Sequence, residues 1–373
     1  MVDTNSIQPN TVTVLIGPNS SGKSRLLRKL CASCLQSGDS VLAIAPTIFD
    51  RFREMPVSGL KFYGARQGRP AAANVFRSAL SRAVDKPKIV KNLTQALKYT
   101  KFEPVVGIRL LDVSIDNYMA GSDYLDPNMR ESLKSMLFKW QNQYGSDGVV
   151  KISLDSYSFE ELDAISFAEM SRYENHLKKT KAVSKIEYYL YRGRDQIPLL
   201  EACSGEICFI TTIAFIATRI ERRSVIAIDE PETSLHPTWQ KDYVETLLDL
   251  FHHHEPRILI STHSPIIISG AEAARGNISV YEMDDEIPTP FKHMHLSLEE
   301  MYDRLFGLIT PKNHYLSQRA VSMINALDAG DRTLAQIIAE LEEFRRKSYD
   351  ESQKLVITRL EAIARQLESI KKG

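Results

Sequence analysis

The sequence predicts an α/β fold in which buried parallel strands alternate with helices. Three features at the start of the chain support this prediction. Residues Thr11 to Ile16 are apolar and β-branched, as in a parallel strand that is buried on both faces. A glycine-containing turn follows, and helical spacing of apolar residues then runs from about Lys23 to Gln36. Residues Ser40 to Ala45 form a second apolar run, so the chain opens with the order strand, loop, helix, strand.

The middle of the chain, roughly residues 80 to 195, has a different pattern, which we interpret as an inserted lobe. It mixes predicted helices at Arg130 to Tyr144 and Glu160 to Lys181 with predicted strands at Val105 to Val113 and Ile186 to Tyr191. The α/β pattern then resumes with a helix, a strand, a helix and a strand. These four elements are predicted at Ile207 to Arg219, Ser224 to Ile228, Pro237 to Phe251 and Arg257 to Ser261.

The end of the chain is predicted to be helical, because apolar residues recur there at steps of three and four. The two amphipathic stripes are Leu334, Ile337, Leu341, Phe344 and then Leu360, Ile363, Leu367, Ile370. We therefore expect a discontinuous α/β core at residues 1–80 and 195–290. The inserted lobe, of α+β or helical structure, is expected at 81–194, and a helical C-terminal region at 291–373.

Composition excludes some classes of protein. The 47 Lys and Arg residues offset 47 Asp and Glu residues, which excludes a protein that coats nucleic acid through a uniformly basic surface. Four cysteines are too few for a disulfide scaffold, and we interpret Cys31 and Cys34 as core residues of one helix. The N-terminus does not resemble a signal peptide, and no apolar stretch is long enough to span a bilayer. We expect a cytoplasmic protein with no membrane contact.

The strongest motif is a glycine-containing loop that matches GxxxxGK[ST] between a predicted strand and a predicted helix. In such a P-loop, backbone N–H groups and the helix N-terminus surround phosphates. Lys23 would reach the β- and γ-phosphates, and the Ser24 hydroxyl would ligate Mg²⁺. The pattern therefore predicts that ATP and Mg²⁺ bind here. The residues expected to contact nucleotide are Gly17, Pro18, Asn19, Ser20, Ser21, Gly22, Lys23, Ser24 and Arg25.

Two further strand ends carry residues suited to hydrolysis. The apolar run from Val225 ends in Asp229 and Glu230. Asp229 is predicted to hold Mg²⁺, and Glu230 to orient and deprotonate the attacking water. His263 follows the strand Arg257 to Ser261, where a neutral imidazole is suited to contact the γ-phosphate. The predicted catalytic residues are therefore Lys23, Glu230 and His263.

With the P-loop, the string from Asp229 to Pro237 (DEPETSLHP) and the string from Ser261 to Pro265 (STHSP), the chain resembles the OLD-type, SMC-like branch of ABC ATPases. The resemblance implies an ABC-type P-loop NTPase domain that works as a homodimer through its ATP sites. It also implies a signature motif that reaches the partner's ATP, for which Ser204, Gly205 and Glu206 are the candidates. The string after Asp229 differs from the one usual in transporter ATPases, which disfavours a transporter subunit.

Two loops are assigned by the same resemblance. Ser234-Leu235-His236 would be the D-loop along the dimer interface, and Gln67 would contact Mg²⁺ and water. For two histidine groups the sequence favours structural explanations. His252-His253-His254 closes a helix, where the helix dipole favours His. His293 and His295 alternate as on a strand face, and we do not expect a metal there.

The resemblance leaves two functions open. OLD nucleases carry a TOPRIM domain, and the helical pattern after residue 285 does not predict one, with Asp284-Asp285-Glu286 forming an acidic turn. One hypothesis is the sensor or regulatory ATPase of an anti-phage defence complex, paired with a separate nuclease or toxin effector. The alternative is a DNA-repair or DNA-end-binding SMC-like ATPase, with nucleic acid bound through lysines. The candidate lysines are Lys86, Lys88, Lys91, Lys178, Lys179 and Lys181.

Overall fold

The computed structural model describes residues 9–47, 52, 55, 59–83, 85–143, 148–155, 172–291, 296, 298–306, 314–347 and 351–372. Its strands are β1 (Thr11–Ile16), β2 (Val41–Ala45), β3 (Leu60–Gly64), β4 (Val105–Leu111), β5 (Val150–Ser153), β6 (Lys185–Arg192), β7 (Asp195–Pro198), β8 (Val225–Asp229), β9 (Arg257–Thr262), β10 (Asn277–Asp284) and β11 (Ile287–Pro290). Its helices are α1 (Lys23–Gln36), α2 (Gly68–Ala83), α3 (Pro87–Tyr99), α4 (Ile115–Gly121), α5 (Pro127–Gln143), α6 (Ser204–Arg219), α7 (Pro237–Phe251), α8 (Pro265–Ala273), α9 (Leu298–Phe306), α10 (His314–Ala329), α11 (Leu334–Lys347) and α12 (Glu351–Lys372).

A seven-stranded sheet in the order β11-β10-β1-β9-β8-β2-β3 forms the centre of the fold. The strands run parallel except β11, which pairs antiparallel with β10. The predicted strands at β1, β2, β8 and β9 are present, and the predicted α/β fold class is confirmed. Parallel register brings the carboxyl ends of β1, β9 and β8 to one edge, with Ile16 opposite Thr262 and Asp229 opposite Ser261. The three predicted motifs follow these strand ends, so they meet at this edge.

Helix α6 shows how the lobe attaches to the sheet. Most of its residues are buried, including Phe209, Ile213 and Ile216, because the helix is apolar on nearly all faces. It packs against α2 and α3. One contiguous core joins residues of the seven-stranded sheet with residues of the lobe such as Leu93 and Val106. The lobe therefore shares its hydrophobic core with the α/β domain.

A second sheet, four-stranded and antiparallel in the order β5-β4-β6-β7, joins three strands of the predicted lobe with β7, which begins just beyond its predicted edge. Alternate residues of β4, Val106, Ile108 and Leu110, point into the core, and the residues between them are largely on the other face. Two of these strands have only four residues, too few to give a clear sequence pattern. The sequence predicted β4 and β6, while β5 and β7, like β3, β10, β11, α2 and α3, appear only in the structure.

The expected edges of the inserted lobe both fall within regular structure. Helix α2 runs across the edge between residues 80 and 81. The β6–β7 hairpin, in which Arg192 pairs with Asp195, spans the edge between 194 and 195. The division into a core and a lobe therefore stays a proposal. Of the helix predicted at Glu160 to Lys181, only residues 172–179 are described as helical, while residues 156–171 lie outside the described part, as do Tyr144, His293 and His295.

Helices α10, α11 and α12 pack on one another around a core of their own. Its buried residues include Met323, Leu341, Phe344, Ile357 and Ala364. The stripe predicted for α11 lines this core, but of the stripe predicted for α12 only Leu360 and Leu367 do, while Ile363 is 46% exposed and the side chain of Ile370 lies outside the described part. The C-terminal region thus has a hydrophobic core distinct from that of the ATPase sheet. Among the described residues, no helix is both long and apolar enough to cross a membrane.

Candidate active site

The P-loop ends at the first turn of α1. Gly22 caps this helix in the left-handed conformation (φ 92°), which favours glycine, and a Cβ there would come within 2.8 Å of the Glu286 Cγ. No side chain caps α1, and its first turn carries no acid. The first N–H groups of the helix thus lack the usual side-chain partner and present partial positive charge. The buried Ser21 hydroxyl also has no partner among the described residues, so the loop is built to receive an anion.

Lys23 is almost fully buried at 4% exposure, and its ammonium group contacts the loop that precedes it. Its Nζ donates hydrogen bonds to the Gly17 carbonyl at 3.1 Å and the Pro18 carbonyl at 2.9 Å. Burial lowers the pKa of Lys23 to about 8, although the carboxylates of Glu230, Asp229 and Glu232 oppose this shift. The group is therefore poised to exchange its carbonyl partners for phosphate oxygens.

His263 lies between Lys23 and the carboxylate of Glu230, which is predicted to be catalytic. Its Nδ1 is 3.3 Å from Lys23 Nζ, and its Nε2 is 3.4 Å from Glu230 Oε1. Because a protonated lysine can only donate, Nδ1 accepts and the ring proton of the neutral imidazole resides on Nε2, facing Glu230. The structure therefore brings together the three predicted catalytic residues, which come from three separate segments.

Glu230 is the first residue after β8 and adopts a left-handed backbone conformation (φ 52°). This conformation costs a non-glycine residue on the order of 1 kcal/mol, and such strain is typically found at functional sites. The hydrogen bond from His263 lowers the pKa of the Glu230 carboxyl, against the effect of its partial burial. The carboxylate is therefore kept ionised, as a group that accepts a proton from water must be.

Asp229 is the last residue of β8 and is held by two hydroxyl groups. Ser24 Oγ donates to Asp229 Oδ1 at 2.9 Å, and Ser261 Oγ donates to the same oxygen. Burial raises the pKa of Asp229, while these two hydrogen bonds lower it. A hydroxyl and a carboxylate in contact are oxygen ligands of the kind that Mg²⁺ prefers. The predicted metal residues Ser24 and Asp229 therefore fit this ion.

Two residues that the sequence did not single out connect the segment Asp229 to Pro237 with the segment that carries His263. Glu232 Oε1 accepts a hydrogen bond from the backbone N–H of His263. Gln240 on α7 donates to the Leu235 carbonyl at 2.9 Å and accepts from the Ser264 hydroxyl at 2.7 Å. In the sequence, Glu232 lies within the string DEPETSLHP, and Gln240 follows shortly after it. Their proximity to this motif is the one sequence feature that could have indicated a role for them.

The candidate signature residues begin α6. Ser204 is exposed at the helix N-terminus. A Cβ added to Gly205 would collide with the carbonyl oxygen of Ser234, so glycine lets the D-loop lie directly against this helix. Glu206, predicted as a nucleotide contact, has a different environment: its carboxylate accepts from the Cys203 N–H in a capping box and pairs with Arg192 at 2.5 Å. We therefore interpret Glu206 as a residue that positions the helix N-terminus.

Gln67 is exposed in a short 3-10 helix at the end of the edge strand β3. In the sheet, β9, β8 and β2 separate this strand from the P-loop strand. Its neighbours Ala65 and Gly68 line a cavity of about 270 Å³ together with Ser204 and Ser234. Within one protomer Gln67 is thus close to the signature segment, and its predicted contact with Mg²⁺ stays a proposal.

The structural explanations for the cysteines and for the histidine tract agree with the structure. Cys31 and Cys34 are free thiols on the buried face of α1. His252–His254 form a short 3-10 helix directly after α7. Within the described ranges, no group of three His, Cys, Asp or Glu side chains is arranged to hold a metal ion.

Comparison with known families finds an ATPase family model in the part of the chain that follows the P-loop. Residues 83–268, just under half of the chain, match the family model of the AAA ATPase domain. The matched stretch begins after the P-loop and contains Ser204, Asp229, Glu230 and His263. A segment of 132 residues is 27% identical to Protein ea59 of Escherichia phage lambda and covers 34% of this chain. That segment spans only about a quarter (24%) of the length of ea59.

Two solved structures show weak similarity. VirB4 of Thermoanaerobacter pseudethanolicus aligns with a TM-score of 0.26 and 12% identity, covering 73% of this chain and 76% of that chain. The Smc head domain of Pyrococcus furiosus, with an extended coiled coil and bound to the C-terminal domain of ScpA, aligns with a TM-score of 0.24 and 12% identity. This alignment covers 70% of this chain and 63% of that chain. Scores this low describe only limited overlap of the backbones.

Proposed function

We propose that this chain, a P-loop ATPase, binds ATP with Mg²⁺ and hydrolyses it between two copies of the ABC-type domain. One observation carries the proposal: Lys23, His263 and Glu230 form a contiguous chain of contacts beside Asp229. Ser204 lies outside this cluster, exposed at the start of α6. A signature residue that does not face its own P-loop is available to the P-loop of a second copy.

In this reaction each residue has a distinct task. Lys23 and the N-terminus of α1 hold the phosphates, and the Glu230 carboxylate accepts a proton from the attacking water. His263 presents its Nε2 proton beside Glu230 and fixes the carboxylate. Ser24 and Asp229 would hold Mg²⁺, which neutralises charge that develops on the transferred phosphoryl group. Exposed Ser204 and the N-terminus of α6 would add positive potential from the partner copy.

The test compares wild-type protein with Glu230→Gln in hydrolysis, in ATP binding and in solution mass. We expect the turnover number to fall by at least about a hundredfold, because the amide cannot accept the proton, while ATP still binds. The variant should also accumulate as a dimer when ATP and Mg²⁺ are present. Glu255→Gln, at a partly exposed acid paired with Arg222 and Arg223, is the control and should hydrolyse ATP like the wild type. A Glu230→Gln variant with full turnover would refute the proposed role.

We further propose that this ATPase is the sensor or regulatory subunit of an anti-phage defence complex with a separate nuclease or toxin effector. Two facts support this: the resemblance of the three motifs to the OLD-type branch, and the partial similarity to a protein of phage lambda. The test is phage infection of the native host carrying wild-type protein, Lys23→Ala or a deletion. Protection that is lost in both altered strains supports the proposal. Equal plaque numbers in all three strains, over a panel of phages, would refute the proposed role in defence.

The alternative, a DNA-binding repair ATPase, has one specific observation in its favour. Lys86, Lys88 and Lys91 are all exposed around the start of α3, next to the tract His252–His254. Burial, and after it the nearby Lys88 ammonium, lowers the pKa of His254, which supports the proposal that the two segments contribute to one positive surface. Lys178, by contrast, pairs with the buried Glu174.

This alternative predicts that duplex DNA stimulates hydrolysis and that added salt abolishes the effect. A double substitution, Lys88→Glu with Lys91→Glu, should remove the stimulation and leave the rate without DNA unchanged. Lys134→Glu, on α5 beside Glu131, is the matched control. Identical rates with and without DNA in the wild type would exclude this function.

A further inference from the structure

The turn between β10 and β11 stands directly beside the P-loop. Strand β10 runs parallel to β1 with Glu282 opposite Ile16, so both strands end at the same edge of the sheet. The chain then turns at Asp285 and Glu286, which both have positive φ, before β11 begins. The Glu286 N–H donates a 3.1 Å hydrogen bond to the Ser21 carbonyl. The turn is thus attached to the backbone of the phosphate-binding loop.

The side chain of Glu286 fastens the same turn to α1. Its carboxylate forms an ion pair with Arg25 and lies 3.9 Å from Lys29 Nζ. Its Cα and Cγ would lie 3.2 Å and 2.8 Å from a Cβ built on Gly22. Ile287 follows immediately and is 63% exposed, an uncommon degree of exposure for an isoleucine in a strand. An apolar side chain therefore faces solvent at the rim of the P-loop.

The sheet order determines which end of a nucleotide meets this turn. The groups that act on the γ-phosphate, Glu230 and His263, follow β8 and β9 on one side of β1. Strand β10 is the neighbour of β1 on the other side. With its γ-phosphate directed towards Glu230, a bound nucleotide would extend its α-phosphate and nucleoside across the P-loop towards β10, where the turn Asp284–Ile287 lies.

We propose that the turn from Asp284 to Ile287 is the nucleoside subsite of this ATPase. Ile287 packs against the base through its exposed apolar side chain. Glu286 is a positioning residue that holds the turn on the P-loop through Arg25. The proposal rests on the proposed ATPase function, because it takes the direction of the bound nucleotide from Glu230 and His263. The proposal adds that this turn recognises the nucleoside of the ligand, in addition to the phosphates that the P-loop binds.

The test compares the binding of ATP and of inorganic tripolyphosphate, which lacks the nucleoside, to the full chain. We expect Ile287→Ser to weaken ATP binding about fivefold, because serine cannot pack against the base as isoleucine does, and to leave tripolyphosphate binding unchanged. Glu286→Ala should also weaken the binding of ATP more than the binding of tripolyphosphate. A general loss of folding would instead weaken both equally. Ile363→Ser, at an exposed isoleucine on α12, is the control and should change neither affinity.

The outcomes separate this subsite from the function on which it rests. Wild-type protein that binds both ligands, with Ile287→Ser and Glu286→Ala weakening only ATP, supports the subsite. If the two variants weaken both ligands equally, or neither, the subsite is overturned while the P-loop assignment stands. If wild-type protein binds neither ATP nor tripolyphosphate, both proposals fail.

Discussion

The side chains of Lys23 and His263 meet at 3.3 Å, Nζ to Nδ1, although 240 residues separate them in the chain. One belongs to the loop that surrounds phosphate, and the other to the segment after β9 that faces Glu230. The lysine therefore does more than supply charge: its position selects the tautomer of the histidine, and through it the proton that faces the catalytic carboxylate. In the proposed reaction, phosphate binding and water activation would therefore share this contact.

The first prediction concerns pH. Burial lowers the pKa of Lys23 to about 8, so the free protein loses this positive charge as the pH rises through that value. Since phosphate binds the protonated form, the dissociation constant for ATP should rise with pH above about 8, approaching about tenfold per pH unit. The free energy of unfolding changes with pH in the opposite direction. Between about pH 8 and the ordinary pKa of lysine, the unfolded state holds a proton on Lys23 that the folded state has lost, so a rise in pH stabilises the folded state.

Isothermal titration of ATP across this range measures the effect. Lys23→Arg is the control, since arginine stays charged throughout and its affinity should show no break near pH 8. An identical slope in Lys23→Arg would assign the titration to another group.

The second prediction concerns the link between the D-loop and His263. Gln240→Ala removes the bonds to the Leu235 carbonyl and to the Ser264 hydroxyl. Because the segment around His263 loses a support while the P-loop is untouched, we expect the turnover number to fall about tenfold with ATP affinity unchanged. Ser264→Ala removes the other partner, and the double variant should cost little more than either change alone. Steady-state kinetics of all four proteins test this, and strictly additive losses would show that the two side chains act independently.

The third prediction concerns the start of α6. Gly205→Ala forces a methyl group against the Ser234 carbonyl, so the D-loop must move away from the helix. We expect ATP-driven dimerisation and hydrolysis to be lost while ATP binding by the monomer persists. Light scattering with bound ATP, alongside a binding assay, measures both. Gly193→Ala is the control: its added methyl meets no other atom, and the left-handed backbone there (φ 59°) costs alanine only about 1 kcal/mol, so this variant should still dimerise.

Ser204→Ala keeps this third prediction testable if Gly205→Ala does not fold. The hydroxyl is exposed, so its removal should leave stability nearly unchanged and still weaken the ATP-linked dimer. Dimers of wild-type strength in this variant would argue against Ser204 as the partner's phosphate contact.

The fourth prediction concerns the C-terminal helices. Phe344 is 5% exposed in the separate core formed by α10, α11 and α12. Phe344→Ala should destabilise this bundle by about 3–5 kcal/mol, because it leaves a cavity among Ile337, Leu341 and Ile357. Hydrogen exchange should therefore rise in these helices and not in α1 or β8. Val321→Ala, at an exposed position on α10, should have little effect. Equal acceleration of exchange in α1 would mean that the two cores unfold together.

Much of the nucleotide site could be predicted because its signals are local. A strand, a glycine-bearing turn and a helix follow one another within residues 11–36, and each motif is read from a few adjacent residues. Asp229, Glu230 and His263 were predicted in the same way, since each follows a short apolar run. Burial on both faces gives these strands continuous apolar sequences, so their positions are visible before any fold is known.

The groups that support these residues were decided only by the tertiary structure. Glu232, Gln240 and Ser261 are ordinary polar residues until the register of β8 and β9 and the packing of α7 bring them to the site. Glu206 was predicted to contact nucleotide, and its hydrogen bonds instead join it to Cys203 and Arg192. The sequence around a carboxylate does not indicate which groups will donate hydrogen bonds to it in the folded protein.

The same division holds for the whole fold. The sequence by itself determined the α/β class, the strands that bear the motifs and the helical C-terminal region, because periodicity and burial are properties of single segments. The tertiary structure decided the antiparallel sheet of the lobe, the core that it shares with the main sheet and the placement of the β10–β11 turn on the P-loop. These depend on contacts between segments far apart in the chain, and no local pattern encodes the partner of a short strand or the loop on which a turn will rest.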